Sequence, residues 1–269
     1  WNYANKKAEV SERHLVMLLS DMIGYYRLCC PRIGGFKLFH LQEKDLGHAV
    51  TLGRDSFLKV YESKGFKLKP NKRRRTTDSN HVYKRYPNLI KGKDARYSNH
   101  IWVSDITYVW ILGDVLYLHL VTDAYSHAVL GWCLSDSLSA SHTTEALRMA
   151  IRIAGGGNLC GTIHHSDRGS QYASDAYVSC LMEHHIRISM TEGYEPTDNA
   201  MAERQNGIFK VEWIYEQEMY RDKEQAINEI NRMIDFYNNR RPHMSIGMEC
   251  PMEVYKGKLP GKNLWRKRP

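Results

Sequence analysis

The sequence predicts an α/β protein, a mixed five-stranded sheet flanked by helices and preceded by a small all-α domain. Three observations carry this. Residues 101–134 hold three successive apolar runs rich in β-branched and aromatic residues, parted only by Gly113-Asp114 and Tyr125-Ser126-His127. Residues 143–190 then alternate segments of helical and strand period. The first 65 residues show apolar positions at helical spacing only.

Taken in order, Val10, Leu15, Leu18, Leu19, Met22, Ile23 and Tyr26 predict one amphipathic helix from Glu9 to Tyr26. The break Pro31–Gly35 leads to a second, Phe36–Leu46, ended by Gly47; Gly53-Arg54-Asp55 opens a third, Ser56–Lys64, closed by Gly65. Three short helices with a tight turn before the last are similar to a helix-turn-helix, in which Arg54 and Lys59 would reach phosphate or base. A helical bundle that braces the core is the competing reading. The run KLKPNKRRR, Lys67 to Arg75, has little to bury, and Arg73, Arg74 and Arg75 match the charge of a polyanion. Residues 76–98 read as an extended connector.

Strands are expected at Ile101–Ile111, Val115–Thr122 and Ala128–Leu134, forming an antiparallel meander. A helix follows at Thr143–Ala154, a fourth strand at Thr162–His165, a helix at Asp175–His184 and a short strand at Ile186–Met190. Asp198 can cap a helix carrying Glu203, and Asp222 with Gln225 resembles a capping box for a last helix to Tyr237. The expected organisation is therefore residues 1–70 helical and DNA-binding, 71–98 a basic connector, 99–240 the α/β core, and 241–269 a basic tail.

Charge supports that division. Residues 1–98 hold 21 Lys or Arg against 9 Asp or Glu, or +12, and residues 99–269 hold 17 against 21, or −4, which together restore the net +8. A basic front half ahead of a mildly acidic back half suits a DNA-gripping module joined to a metal-binding core. No apolar run approaches the roughly 20 residues of a membrane span, so no membrane partner is expected. The six cysteines form no CxxC pair and have no His-x-His partner, which points to free thiols in a reducing cytoplasm rather than disulfides or a zinc knuckle. The chain begins at Trp1 without an initiator methionine, which points either to processing or to a sequence that lacks its natural beginning.

Three distant carboxylates carry the chemistry. Asp105 interrupts a hydrophobic strand, Asp167 lies in HHSDRGSQY just past the fourth strand, and Glu203 lies in DNAMAERQNGIFKVE, with 35 residues between the last two. The β-β-β-α-β-α-β order resembles a ribonuclease-H-like fold, which implies that the first and fourth strands are neighbours and that a helix across the sheet edge brings in Glu203. Acidic oxygens suit Mg²⁺ or Mn²⁺, and two such ions about 4 Å apart can activate an attacking oxygen while stabilising the leaving one. Asn199, Glu203 and Lys210 fall at i, i+4 and i+11, on one helix face, so Lys210 could hold a DNA phosphate or simply face solvent. Asp123, Asp198 and Glu212 are rival ligands, Asp123 the most serious, with turn formation as its alternative role. His164 and His165 point to opposite strand faces, so at most one approaches the acids.

The segments WVSDITYV, HHSDRGSQY, DNAMAERQNGIFKVE and YNNRRPHMSIGMECPMEVY, with the helical front part and the YPNL connector, resemble the copy-out, paste-in transposases of bacterial insertion sequences. These share a retroviral-integrase-type DDE core of ribonuclease-H-like fold. The resemblance implies that Asp105, Asp167 and Glu203 are a catalytic triad holding two Mg²⁺ or Mn²⁺ ions. It also implies nicking at a terminal inverted repeat and attack of the freed 3′-hydroxyl on a phosphodiester. The implied partners are element-end DNA, target DNA and at least one further copy of the chain, in a bacterial cytoplasm beside the nucleoid. Family members generally carry a leucine zipper, and no heptads are visible here. Two other readings stay open: a ribonuclease-H-like nuclease that only hydrolyses, and a noncatalytic DNA-binding regulator.

Overall fold

A computed structural model describes residues 2–47, 52–68, 86–192, 200–215 and 219–257; the side chains of 2–12, 200–203 and 205 lie outside that description. The chain divides into two compact units, one formed by residues 1–72 with 211–216 and the other by 73–210 with 217–269.

In the first unit, α1 spans Asn2–Cys29, α2 Gly35–Leu46 and α3 Arg54–Ser63. The first helix is 28 residues long, so the expected set of three short helices is corrected: its apolar period ends near Tyr26, but nothing in residues 2–9 breaks a helix. Leu19, Ile23, Tyr26, Leu38, Leu41, Phe57 and Tyr61 are buried together with Trp213. Trp213 belongs to a π-helical turn, Lys210–Ile214, and its indole donates to the carbonyl of Cys29 at 2.7 Å. Glu212 of the same turn pairs with Lys37 at 2.8 Å.

The second unit is built on one sheet in the order β3-β2-β1-β4-β5. Strands β1 (Ile101–Ile111), β2 (Asp114–Asp123) and β3 (Val129–Ser135) form the expected meander, and β4 (Ile163–Ser166) and β5 (Arg187–Met190) add in parallel beside β1. Helix α4 (Ala140–Ile153) is capped by Ser139, whose hydroxyl accepts from the amide of Ser141. It packs with α5 (Ser170–Ala173) and α6 (Asp175–Glu183) over Trp102, Val121 and Leu130 on one sheet face. Gly131 permits this approach, because a Cβ there would lie 1.9 Å from the carbonyl oxygen of Ala146.

The opposite face of β1 carries Ile101 and Val103, then Asp105, since strand side chains alternate. Helices α7 (Ala200–Phe209) and α8 (Lys223–Asn239) pack against this strand, joined by the edge-to-face pair Phe209–Tyr237. Asp222 caps α8 by accepting from the amide of Gln225, while Gln225 accepts from Arg221 one residue earlier than a capping box requires. Asn238 closes the edge strand by hydrogen bonding both backbone groups of Val129 at 2.9 and 2.8 Å. A short helix α9 (Pro251–Tyr255) ends the described chain. No described helix is long and apolar enough to cross a membrane.

Candidate active site

Strand register brings two of the predicted acids together. In the parallel pair β1/β4, Ile101 faces Ile163 and Val103 faces His165, an offset of 62. The same offset, 105 + 62 = 167, sets Asp167 across from Asp105 two residues beyond the last bridged pair. Parallel pairing leaves the strand ends open on one side, so Asp167 leaves the sheet beside the middle of β1, where a ligand can enter.

Both carboxylates are held by donors. Asp105 Oδ1 accepts from the Ile106 amide at 2.8 Å and Oδ2 from the Asn206 side chain at 2.5 Å. Asp167 Oδ1 accepts from the Gly169 amide at 2.9 Å. Part of the Asp105 residue surface is accessible, yet its carboxyl is set deep enough that burial raises its pKa from 3.8 to about 7. The charge of Asp167 adds to that rise; the Ile106 amide, Asn206 and Lys210 pull it back. The Asp105 carboxyl in this condition is short of positive charge. The side-chain ligand atoms that the two acids offer are all oxygens, which fits a hard divalent cation.

The other predicted residues divide clearly. Lys210, the first residue of the π-helical turn, is near enough to act on Asp105. Glu203 lies on α7 one turn before Asn206, but its side chain is outside the described set, as are Asn199, Arg73, Arg74, Arg75 and the rival Asp198. Arg54 opens α3, exposed and paired with Asp55 at 2.9 Å, and Lys59 is exposed on the same helix of the first unit.

Asp123 is a turn-holding acid. It is fully buried, accepts from the amide and hydroxyl of Ser126 at 2.8 and 2.6 Å and from the amide of Asn99 at 2.7 Å. Glu212 serves the first unit through Lys37. His164 sits between Ser104 and Tyr177 at 2.7 and 2.8 Å, and burial lowers its pKa to about 3. His165 bonds Ser189 at 2.8 Å. Both histidines are core residues.

Two residues escaped sequence reasoning. Asn206, three residues after Glu203, shares its helix face and is 3% exposed; that spacing was the available signal. Tyr172, which ends the HHSDRGSQY motif, is fully buried against the rings of His164 and Tyr177. The charges of Asp167 and Asp105 add to the effect of burial in raising its pKa.

A mixed five-stranded sheet in the order β3-β2-β1-β4-β5, flanked by helices, is the ribonuclease-H-like fold of integrase-type cores. Two integrase core domain models match, over residues 95–196 and 184–251. The chain belongs to the integrase-core transposases of bacterial insertion sequences, a metal-dependent family of polynucleotidyl transferases. It is 34% identical over 187 residues to a putative transposase for insertion sequence element IS986/IS6110 of Mycobacterium tuberculosis, covering 68% of this chain and 67% of the relative. It is 31% identical to a 31 kDa protein of insertion element IS600 from Shigella sonnei, over 78% of each chain. A simian T-cell lymphotropic virus intasome structure shares the fold with a TM-score of 0.50 and 18% identity, over 92% of this chain and 77% of that one.

Proposed function

We propose that this transposase cuts DNA at element ends and joins them to new phosphodiesters through a carboxylate centre of Asp105, Asp167 and Glu203. The observation that carries the reading is the parallel register that sets Asp167 across from Asp105, with the Asp105 carboxyl short of positive charge. The two aspartates would hold Mg²⁺ or Mn²⁺, and Glu203, on the helix that already supplies Asn206, would complete the set. Bound divalent ions supply Lewis acidity, polarising a phosphoryl oxygen and lowering the pKa of the attacking hydroxyl.

The chain's own groups do the positioning. Asn206 fixes Asp105 Oδ2, and the Ile106 and Gly169 amides fix one oxygen on each aspartate, so the carboxylates cannot turn away from the shared space. Lys210, within electrostatic reach of Asp105, contributes a cation for the phosphate of the DNA end. Arg54, Lys59, Arg73, Arg74, Arg75 and Asn199 contribute further DNA contacts, the arginine run from a basic connector spanning 71–98. The core occupies 99–240, between a DNA-binding 1–70 and a basic tail 241–269. Two element ends must meet, so the active species is at least a dimer in the bacterial cytoplasm.

A labelled element end with a target duplex tests this directly. Joined products are expected from the wild-type chain with Mg²⁺, and none from Asp105→Asn, Asp167→Asn or Glu203→Gln while end binding persists. Shortened strands without joined ones would replace the reading with a hydrolytic nuclease. Unchanged behaviour of Asp167→Asn would leave a noncatalytic DNA-binding regulator.

A further inference from the structure

A second group of ligand-bearing side chains lies on the other sheet face. Gly131 lets α4 ride directly on β3, and Cys133, two residues further along the strand, projects to that same helix-covered face. In the turn that ends just before Ala146, α4 presents His142 and Glu145, which are i and i+3 and therefore neighbours on its surface. The Cys133 thiol donates to Glu145 Oε2 at 3.4 Å. Ligand atoms of Cys133, His142 and Glu145 all lie within 4.8 Å of one another, the one such cluster among the described residues. Cys133 and His142 are half-buried and Glu145 is exposed, so an ion can enter from solvent.

We infer that Cys133, His142 and Glu145 form a second metal site, specific for a borderline-soft divalent ion of the Zn²⁺ type, which staples α4 to strand β3. A thiolate, an imidazole and a carboxylate are ligands Zn²⁺ accepts and Mg²⁺ does not, so this site and an all-oxygen centre select different ions. Two ligands from one helical turn and a third from an adjacent strand are fixed by the secondary structure itself. The surrounding charge suits the ion. Before binding, Glu145 and Asp136 supply −2 and Lys223, paired to Asp136 at 3.1 Å, supplies +1, leaving −1; the thiolate formed on binding brings this to −2, which a divalent cation neutralises.

His119 lies near His142 with ring centroids 6.2 Å apart, yet both its nitrogens are engaged, one with Thr143 at 2.8 Å and one with Ser135 at 2.9 Å. It is therefore no fourth ligand, and that position is left to water. Burial first, and then Glu145, hold the Cys133 thiol up to about 12, so the metal-free group is protonated at neutral pH. Binding forms the sulfur–metal bond and releases that proton to solvent.

Cobalt(II) is the probe. The full chain, stripped with EDTA, is titrated with Co²⁺; one equivalent is expected to give thiolate-to-cobalt charge-transfer absorption and the visible bands of a four-coordinate ion, both displaced by Zn²⁺. Cys133→Ser should abolish the charge-transfer band, and Glu145→Gln, an exposed change that leaves the packing alone, should weaken Co²⁺ affinity about tenfold or more. Asp105→Asn should leave the band intact, which separates this site from the proposed carboxylate centre. A band that survives both Cys133→Ser and Glu145→Gln, or no Co²⁺ uptake by the wild-type chain, overturns the inference. Should Cys133→Ser fail to fold, Glu145→Gln decides alone.

Discussion

Replacing Asp105 with Asn should stabilise the metal-free protein at alkaline pH, although the residue is proposed to be essential for activity. The fold raises the Asp105 pKa from 3.8 to about 7, so the folded chain favours the protonated acid and the ionised form is penalised. The sign follows: a carboxyl whose folded pKa lies above its unfolded value costs stability as pH rises from about 4 to about 7, and the full cost persists above. At about 1.4 kcal/mol per tenfold change in proton affinity, the gap corresponds to roughly 4 kcal/mol above pH 7, an upper bound that local relaxation reduces. At pH 4.5 about 1 kcal/mol of it remains. The amide removes the charge, and Asn206 can turn its own amide to accept from the new NH₂ group, so the hydrogen bond survives.

The assay is thermal and denaturant unfolding of both proteins in EDTA at pH 8 and pH 4.5. The variant is expected to gain about 3 kcal/mol more over wild type at the higher pH, worth roughly 6–12 °C in Tm for a chain of this size. Buried histidines titrate equally in both proteins and cancel from the comparison. Adding Mg²⁺ should raise the Tm of wild type and leave the variant unmoved. An Asp105→Asn chain that is equally destabilised at both pH values, or that Mg²⁺ stabilises as much as wild type, refutes the idea of a carboxylate held short of its counter-ion.

Three further outcomes follow from the same geometry. Gly131→Ala places a methyl 1.9 Å from a backbone oxygen that cannot move alone, so a loss at or above about 3 kcal/mol is expected, read by denaturant midpoint. Asp123→Ala removes an acceptor from three donors and should cost about 2–4 kcal/mol, while the folded fraction keeps wild-type Mg²⁺ affinity; a specific loss of that affinity would return Asp123 to the list of ligands. Neutralising Arg73, Arg74 and Arg75 together should weaken DNA binding evenly across sequences and reduce the slope of log affinity against log salt by up to about 3, whereas an unchanged slope removes the run from the DNA interface.

The sheet was legible because its strands carry their period in short windows. Residues 101–135 alternate or run apolar between unmistakable turns, and the observed strands begin and end within a residue of the expected ones. Helix ends were less legible. The period of α1 fades toward its start because residues 2–9 hold no large aliphatic side chain, and a helix without an apolar stripe leaves no periodic mark. The π-helical turn at Lys210–Ile214 was invisible for a different reason. It redirects Glu212 and Trp213 into contacts with Lys37 and Cys29, some 175 and 184 residues away, and no local pattern records such a distance.

The same contrast separates what could be read of the site from what could not. Asp105 stood out because a carboxylate inside an apolar strand conflicts with its surroundings, and such conflicts are where local rules give way to function. Asp123 conflicts as strongly by sequence, and burial raises its pKa too, but its hydrogen bonds from Ser126 in its own turn and from the Asn99 amide give it a structural role that the sequence does not display. Asp105 also receives donors and is also raised by burial, but it alone of the two faces a second acid, Asp167, whose charge raises its proton affinity further. The distinguishing quantity is therefore the balance of donors against like charge at each carboxyl. That balance depends on strand register, which a chain fixes only by folding: the 62-residue offset between β1 and β4 has meaning only once the two strands lie side by side.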